Sequence, residues 1–149
     1  MYSCGYILGD EGSAATLGKL FIADFLKGLV PAEVAADFAS RYDSDYATIV
    51  QNVYRSEASP SGYLGSFAPF IMEHYSDEYI RELVEGNFRS FIRRSLKQYD
   101  TERYPVGVVG GFGYALKDIF AKVAEEEGVK ISRFIKEPID GLMDYHLEK

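Results

Sequence analysis

The sequence predicts an α/β chain, helix-rich over residues 13–99 and closing with a strand-helix-strand unit over residues 104–136. Three observations carry this. Apolar residues recur at helical spacing before Tyr99, the run "YPVGVVGG" is short and β-branched, and "VKISRFI" alternates after an intervening helical pattern.

From Ser13 to Lys27, residues Leu17, Leu20, Phe21 and Phe25 fall on one helical face, and Gly28 offers a stop. Shorter helices are expected at Pro31 to Tyr42, with Pro in the first turn, and at Asp45 to Arg55. The stretch "SEASPSGYLGSFAPF" reads as a loop leading into a short helix from about Tyr63 to Tyr75. The longest helix is expected from Ser76. Its Ile80, Leu83, Val84, Phe88, Phe91, Ile92 and Leu96 keep the 3–4 spacing, with Asp77 and Glu78 in the first turn and Arg93, Arg94 and Lys97 in the last.

After Tyr99, "YPVGVVGG" predicts a buried strand bounded by Pro105 and by Gly110 and Gly111. Ala115, Leu116, Ile119, Phe120, Val123 and Ala124 predict a helix ending at Gly128, and "VKISRFI" a second strand. Such a unit is normally a parallel crossover. Two strands make an incomplete sheet, because parallel sheets are covered on both faces and the preceding residues supply no third strand. The expectation is that a partner chain completes the sheet or that the chain is part of a larger protein. No internal repeat is present.

At 149 residues and 47% hydrophobic, the chain can bury one ordinary core, and its length fits one domain. A net charge of -7 argues against nucleic acid, whose phosphates need a basic face. The densest basic run, Arg89 to Lys97, reads as a solvated helix face. No run approaches the ~20 apolar residues of a membrane span and no signal peptide opens the chain, so the expected compartment is the cytoplasm and no membrane partner is expected. The single cysteine, Cys4, permits no internal disulfide and no cysteine-based metal set. His74 and His146 are the only histidines and have no metal spacing. No metal-ligand set and no Ser-His-Asp or Cys-His arrangement can be assembled, so the catalytic residues are unassigned.

Three glycine-rich stretches carry the candidate chemistry. In "VGVVGGFGYAL" the layout strand, glycines, helix lets a nucleotide approach the backbone at a strand's carboxyl end, although Gly110 and Gly111 could equally make a tight turn. A dinucleotide reading competes: Gly111 and Gly113 give G-x-G and Glu137 could bind a ribose, but Leu116 occupies the place of the third glycine. In "SPSGYLGSFAP", Gly62 and Gly65 read as loop glycines or as small residues beside a flat ligand. In "GYILGDEGSAATLG", Ser13 is an ordinary helix cap and Asp10 and Glu11 suit a helix N-terminus. An acidic pair between Gly9 and Gly12 exceeds what a cap needs, which suggests a tight bend or a closely approaching ligand.

Taken in order, "GYILGDEGSAATLGKLF", "GYLGSFAPFI", "VGVVGGFGYAL" and "EPIDGLMDYH" resemble the C-terminal half of bacterial N-acetylglucosamine kinase-like proteins. These form part of the BadF/BadG/BcrA/BcrD ATPase family, within the wider group of acetate and sugar kinases, Hsp70 and actin. The similarity runs the whole chain, and "GDEGS" paired with the later "VGG" turn is its most specific part.

The resemblance implies that residues 1–149 are the helix-rich C-terminal segment of a ribonuclease H-like, actin-like ATPase domain. It implies ATP-dependent phosphorylation of an amino sugar, with ATP and Mg²⁺ as cofactors. Asp10 matches the family's carboxylate that accepts hydrogen bonds from sugar hydroxyls, with Gly5 on the same substrate-side loop. Gly65 matches the small residue facing the nucleotide, and Gly110 and Gly111 match the adenosine-motif glycines. Glu11 takes no role from the resemblance. The family's phosphate-gripping loops and catalytic aspartate base have no counterpart here, so the resemblance implies a truncated piece, inactive alone. The expected partners are a small-molecule sugar, ATP, and the missing N-terminal half or a second chain, a homodimer being one option. The reductase-activator branch, with its cysteine-held cluster, gains no support from a lone Cys4. From other classes, the alternatives are a non-enzymatic helical interaction module and a dinucleotide-binding fragment.

Overall fold

The computed structural model describes residues 4–139 except 56 and 58, and for residue 6 the backbone alone. The chain divides into two compact units, Tyr2–Asn87 and Phe88–Lys149, the latter counted with Met1. It is a helix-rich α/β chain with a small parallel sheet.

The first unit is helical. It contains α1 (Gly5–Leu8), α2 (Ala14–Leu26), α3 (Ala32–Arg41), α4 (Tyr46–Tyr54), α5 (Pro60–Gly65), α6 (Ala68–Glu73) and the first part of α7 (Glu78–Arg94). Helices α2, α4, α5 and α7 start where a short polar side chain can satisfy open amides, whereas α3 starts at Pro31 without a side-chain cap. Ser13 Oγ accepts from Thr16 N–H at 3.0 Å, Asp45 from Thr48 at 3.2 Å, and Ser59 from Gly62 at 3.3 Å. Asp77 precedes α7 as its cap, accepting from the amides of Tyr79 at 2.9 Å and Ile80 at 3.3 Å. α2 ends with Gly28, where the amide of Leu29 reaches back to the carbonyl of Asp24 at 2.9 Å.

The structure departs from the sequence expectation between residues 56 and 75. The serine and proline expected in a loop are the cap and first residue of α5, and the single helix expected from Tyr63 is two helices. The break has a local cause: Pro69 has no amide to donate to the carbonyl of Gly65, so the ladder is interrupted between α5 and α6.

The core of this unit is aromatic. Phe38 is buried with its ring 5.1 Å from Phe21, 5.2 Å from Phe70 and 5.4 Å from Phe67, mostly edge to face. α2 and α5 meet at a backbone contact, because Gly18 is buried where a Cβ would lie 1.9 Å from the carbonyl oxygen of Leu64. At the edge, Asp37 takes an ion pair from Arg41 at 2.7 Å and a 2.8 Å hydrogen bond from His74, which ends α6. Burial raises the Asp37 pKa, but the bonds from His74 and Arg41 outweigh it and leave the carboxyl below its usual range.

The second unit holds the rest of α7, a 3₁₀ turn (Leu96–Gln98), β1 (Val106–Val109), α8 (Gly111–Ala115), α9 (Lys117–Glu126) and β2 (Ile131–Ile135). β1 and β2 pair in parallel, Val106 with Ile131 and Val108 with Phe134, with one register irregularity after Val106. The crossover helix expected from Ala115 is two helices meeting at Leu116. Phe88 stacks on Phe120 at 4.9 Å, with Phe134 edge-on to Phe120 at 6.0 Å, while Ile92 and Val123 are fully buried. The basic face of α7 is not simply solvated. Arg89 pairs with Glu126 at 2.8 Å, Arg93 with Glu127 at 2.7 Å and Lys97 with Glu127 at 3.0 Å. Hydrogen bonds from Arg93 and Lys97 hold the Glu127 pKa down to about 2.

Candidate functional site

The stretch from Gly9 to Ser13 is the most specified turn in the first unit. Asp10 lies at φ +68, in the left-handed region that costs a residue with a Cβ ~1–2 kcal/mol. Gly12 lies at φ +83, where glycine carries no such penalty. Ser13 is extended and caps α2.

Two buried side chains hold this turn, and they are the buried polar residues among the described ones. The hydroxyl of Thr16 donates to the carbonyl oxygen of Asp10 at 2.8 Å. Asn87 accepts from the amide of Gly12 at 2.9 Å and donates to the carbonyl of Ser13 at 3.0 Å. The Asp10 carboxylate itself is exposed and makes no hydrogen bond or ion pair to a described residue. It is therefore not the cap of α2, a job done by Ser13. Glu11 is half-buried.

Backbone strain of this kind persists only where the surroundings enforce it, and it gathers at functional sites. An exposed carboxylate on a rigid turn can accept two hydrogen bonds from neighbouring hydroxyls or bind a cation.

Gly5 opens α1 at φ +66, and its carbonyl accepts from the amide of Gly9 at 2.9 Å, one bond ahead of the Asp10 turn. Gly65 ends α5 against the first turn of α2, where a Cβ would lie 3.6 Å from Ala15 N and 3.7 Å from Ala14 Cβ. The first unit thus gathers Gly5, Asp10 and Gly65 around the start of α2.

Gly110 and Gly111 belong to the second unit. Gly110, at φ +133, follows β1 and its amide donates to the carbonyl of Ile135 at 2.9 Å; Gly111 is exposed at the start of α8. A Cβ at either would meet nothing within 4 Å, so packing demands glycine at neither. Gly113 differs: its Cβ would lie 2.8 Å from Val108 Cγ1, so it lets α8 sit against β1. That contact accounts for the second glycine of the G-x-G pattern without a dinucleotide. Glu137 is exposed beyond β2, and His146 lies outside the described residues.

A separate apolar groove of about 550 Å³ opens between α2, α4 and α5, lined by Ile22, Leu26, Ile49, Val50 and Val53, with Lys19 and Lys27 on its wall. None of the glycines or acids above lines it. No described helix is long and apolar enough to cross a membrane.

No family model matches the chain and no curated protein matches it. Among solved structures the outcome differs. The chain is similar to half of a candidate N-acetylglucosamine kinase. That protein, from Porphyromonas gingivalis, superposes with a TM-score of 0.91 at 33% identity, over 98% of this chain and 51% of its own. The chain therefore spans about half the length of that structure and shares the fold of that half.

Sequence reasoning missed Thr16 and Asn87. A signal for Asn87 was present: it falls seven residues after Ile80 and three after Val84, in the apolar register of α7, where a polar side chain must find buried partners.

Proposed function

We propose that this chain is the C-terminal part of an ATP-dependent kinase acting on an amino sugar of the N-acetylglucosamine type, in the ribonuclease H-like, actin-like ATPase group. The observation that carries the reading is the Asp10 turn. A carboxylate left open to solvent, on a strained backbone held by buried side chains, suits a group that waits for a ligand. Paired hydroxyls on a sugar ring present the donors such a carboxylate accepts. The likeness to the P. gingivalis protein supplies the class of reaction.

In this reading Gly5 shapes the substrate-side loop, and Gly110 and Gly111 offer bare backbone to the nucleotide. The empty space at their absent Cβ positions suits a ligand lying against them. At Gly65 a side chain would meet only ordinary contacts, so packing alone does not explain its size. Among the described residues no group of three His, Cys, Asp or Glu could hold a metal ion, and Mg²⁺ is read here as arriving on the phosphates of ATP. Phosphoryl transfer depends on positioning and on neutralising charge around the transferred group. The share proposed for this chain is to fix the sugar through Asp10. It acts with an N-terminal half or a second chain, in the cytoplasm.

Asp10→Asn in the full protein that carries this chain tests the reading. Asn tolerates the same backbone region and caps as well as Asp, so melting should stay within about 1 kcal/mol of the parent. Loss of the charge-assisted bonds should weaken N-acetylglucosamine binding by ~1–3 kcal/mol, roughly tenfold to a hundredfold, in calorimetry. Unchanged sugar affinity would overturn the reading.

A further inference from the structure

We propose that Asn87 is the positioning residue of the Asp10 carboxylate, acting through the backbone from Gly12 to Ser13. The inference rests on the reading of Asp10 as a sugar ligand and adds the group that decides where that ligand points.

Because no described residue bonds to the carboxylate, the backbone at residue 10 sets the Cα–Cβ vector from which it reaches a ligand. That backbone is held at one side by Thr16, on the carbonyl of Asp10, and at the other by Asn87. Asn87 is 3% exposed and reaches across 75 residues of sequence to Gly12. One planar amide thus fixes the N–H of one residue and the C=O of the next, and the C=O is also the first acceptor of α2, taking the amide of Leu17 at 3.1 Å.

An apolar residue at position 87 would suit the buried face of α7 equally well, but it would leave the Gly12 amide without its partner. The turn could then relax, with residue 10 rotating out of the left-handed region to shed its strain. Asn87 closes that escape. A carboxyl group swung by such a rotation would miss sugar hydroxyls that require a distance near 2.8 Å.

The test uses the full protein that carries this chain, with Asn87→Leu, Asn87→Asp and Asp10→Asn. Backbone hydrogen exchange of the peptide covering Gly9 to Ser13 is followed by mass spectrometry, N-acetylglucosamine binding by calorimetry, and global stability by urea unfolding. In Asn87→Leu, exchange in that peptide should accelerate at least tenfold while the middle of α2 is unchanged, and sugar affinity should fall at least tenfold in protein that is still folded.

Asn87→Asp retains the acceptor for Gly12. When ionised it opposes the Ser13 carbonyl, and when protonated it regains a donor. Its sugar affinity, taken relative to the parent at each pH, should therefore recover on acidification from about pH 7 to about pH 5, since burial raises a carboxyl pKa. A residue that served stability alone would show no such recovery at constant folded fraction. If Asn87→Leu fails to fold, the Asn87→Asp profile decides.

Parent-like exchange at Gly9 to Ser13, or parent-like sugar affinity in folded Asn87→Leu, overturns the proposal. Parent-like sugar affinity in Asp10→Asn overturns the sugar reading instead, and the exchange result then judges the clamp by itself.

Discussion

The hydroxyl of Thr16 lies 2.8 Å from the carbonyl oxygen of Asp10, and the bond joins the first turn of α2 to a left-handed residue six positions earlier. The strain at residue 10 can be separated from the function proposed for its side chain. Asp10→Gly keeps the backbone conformation, since glycine adopts φ +68 freely, and removes the carboxylate. Relief of strain and the greater entropy of unfolded glycine oppose each other, so stability in urea should be unchanged or up to about 1 kcal/mol higher. Binding of N-acetylglucosamine should be lost. A variant that is much less stable would show that the side chain, not the backbone, holds the turn.

Gly18 against Leu64 sets the approach of α2 and α5. In Gly18→Ala the new methyl would fall 1.9 Å from a backbone oxygen that cannot rotate away, so the helices must separate. Helix propensity favours alanine by ~1 kcal/mol, but overpacking costs ~1–3 kcal/mol or more, and the backbone clash places this site at the upper end. Net destabilisation of about 1–3 kcal/mol is expected in chemical unfolding. A gain in stability would mean that this helix contact is loose.

Gly111→Val isolates the nucleotide reading from the fold. Its Cβ would enter open space, its φ is not positive and valine is no poorer a helix former than glycine, so melting should stay within about 1 kcal/mol of the parent. ATP affinity should fall at least tenfold in the full protein as the isopropyl group fills the space proposed for the ligand, with sugar affinity retained. Unchanged ATP affinity in a normally melting variant would make Gly110 and Gly111 a turn and no more.

Glu127 predicts an acid limb in the stability of the second unit. Its folded pKa of about 2 is depressed, chiefly by Arg93 and then by Lys97. A depressed carboxyl contributes stability that is fully present above its unfolded pKa and is lost as pH falls through the folded one. The loss should therefore run from near pH 4.5 down to about pH 2. Glu127→Gln should be less stable than the parent at neutral pH and should flatten this part of the profile in urea titrations at successive pH values. Parallel profiles for the two proteins would show that the pairs with Arg93 and Lys97 contribute nothing net.

Local chemistry was legible in the sequence wherever one segment answers to itself. The spacing of Leu17, Leu20, Phe21 and Phe25 foretold α2, Ser13 its cap and Gly28 its end. The β-branched run before Gly110 and the alternation after Gly128 foretold the parallel pair β1 and β2, but not that β1 would alternate half-buried and exposed residues instead of being buried. These follow from side-chain period, capping and backbone freedom, which act within a few residues. The sequence also drew attention to Asp10 and its flanking glycines, because an acidic pair between glycines is more than a helix start needs.

Tertiary structure alone decided the rest. That Ser59 and Pro60 begin a helix instead of a loop depends on α5 having the buried α2 to pack upon. That Gly18 is a contact and Gly111 is not cannot be told from two glycines in print; the difference is what stands opposite each in space. The clamp on the Asp10 turn is the plainest case. Asn87 is separated from Gly12 by 75 positions, and only folding brings its amide to that turn, where its buried hydrogen bonds add to the local ones that Ser13 and Thr16 make to the carbonyl of Asp10.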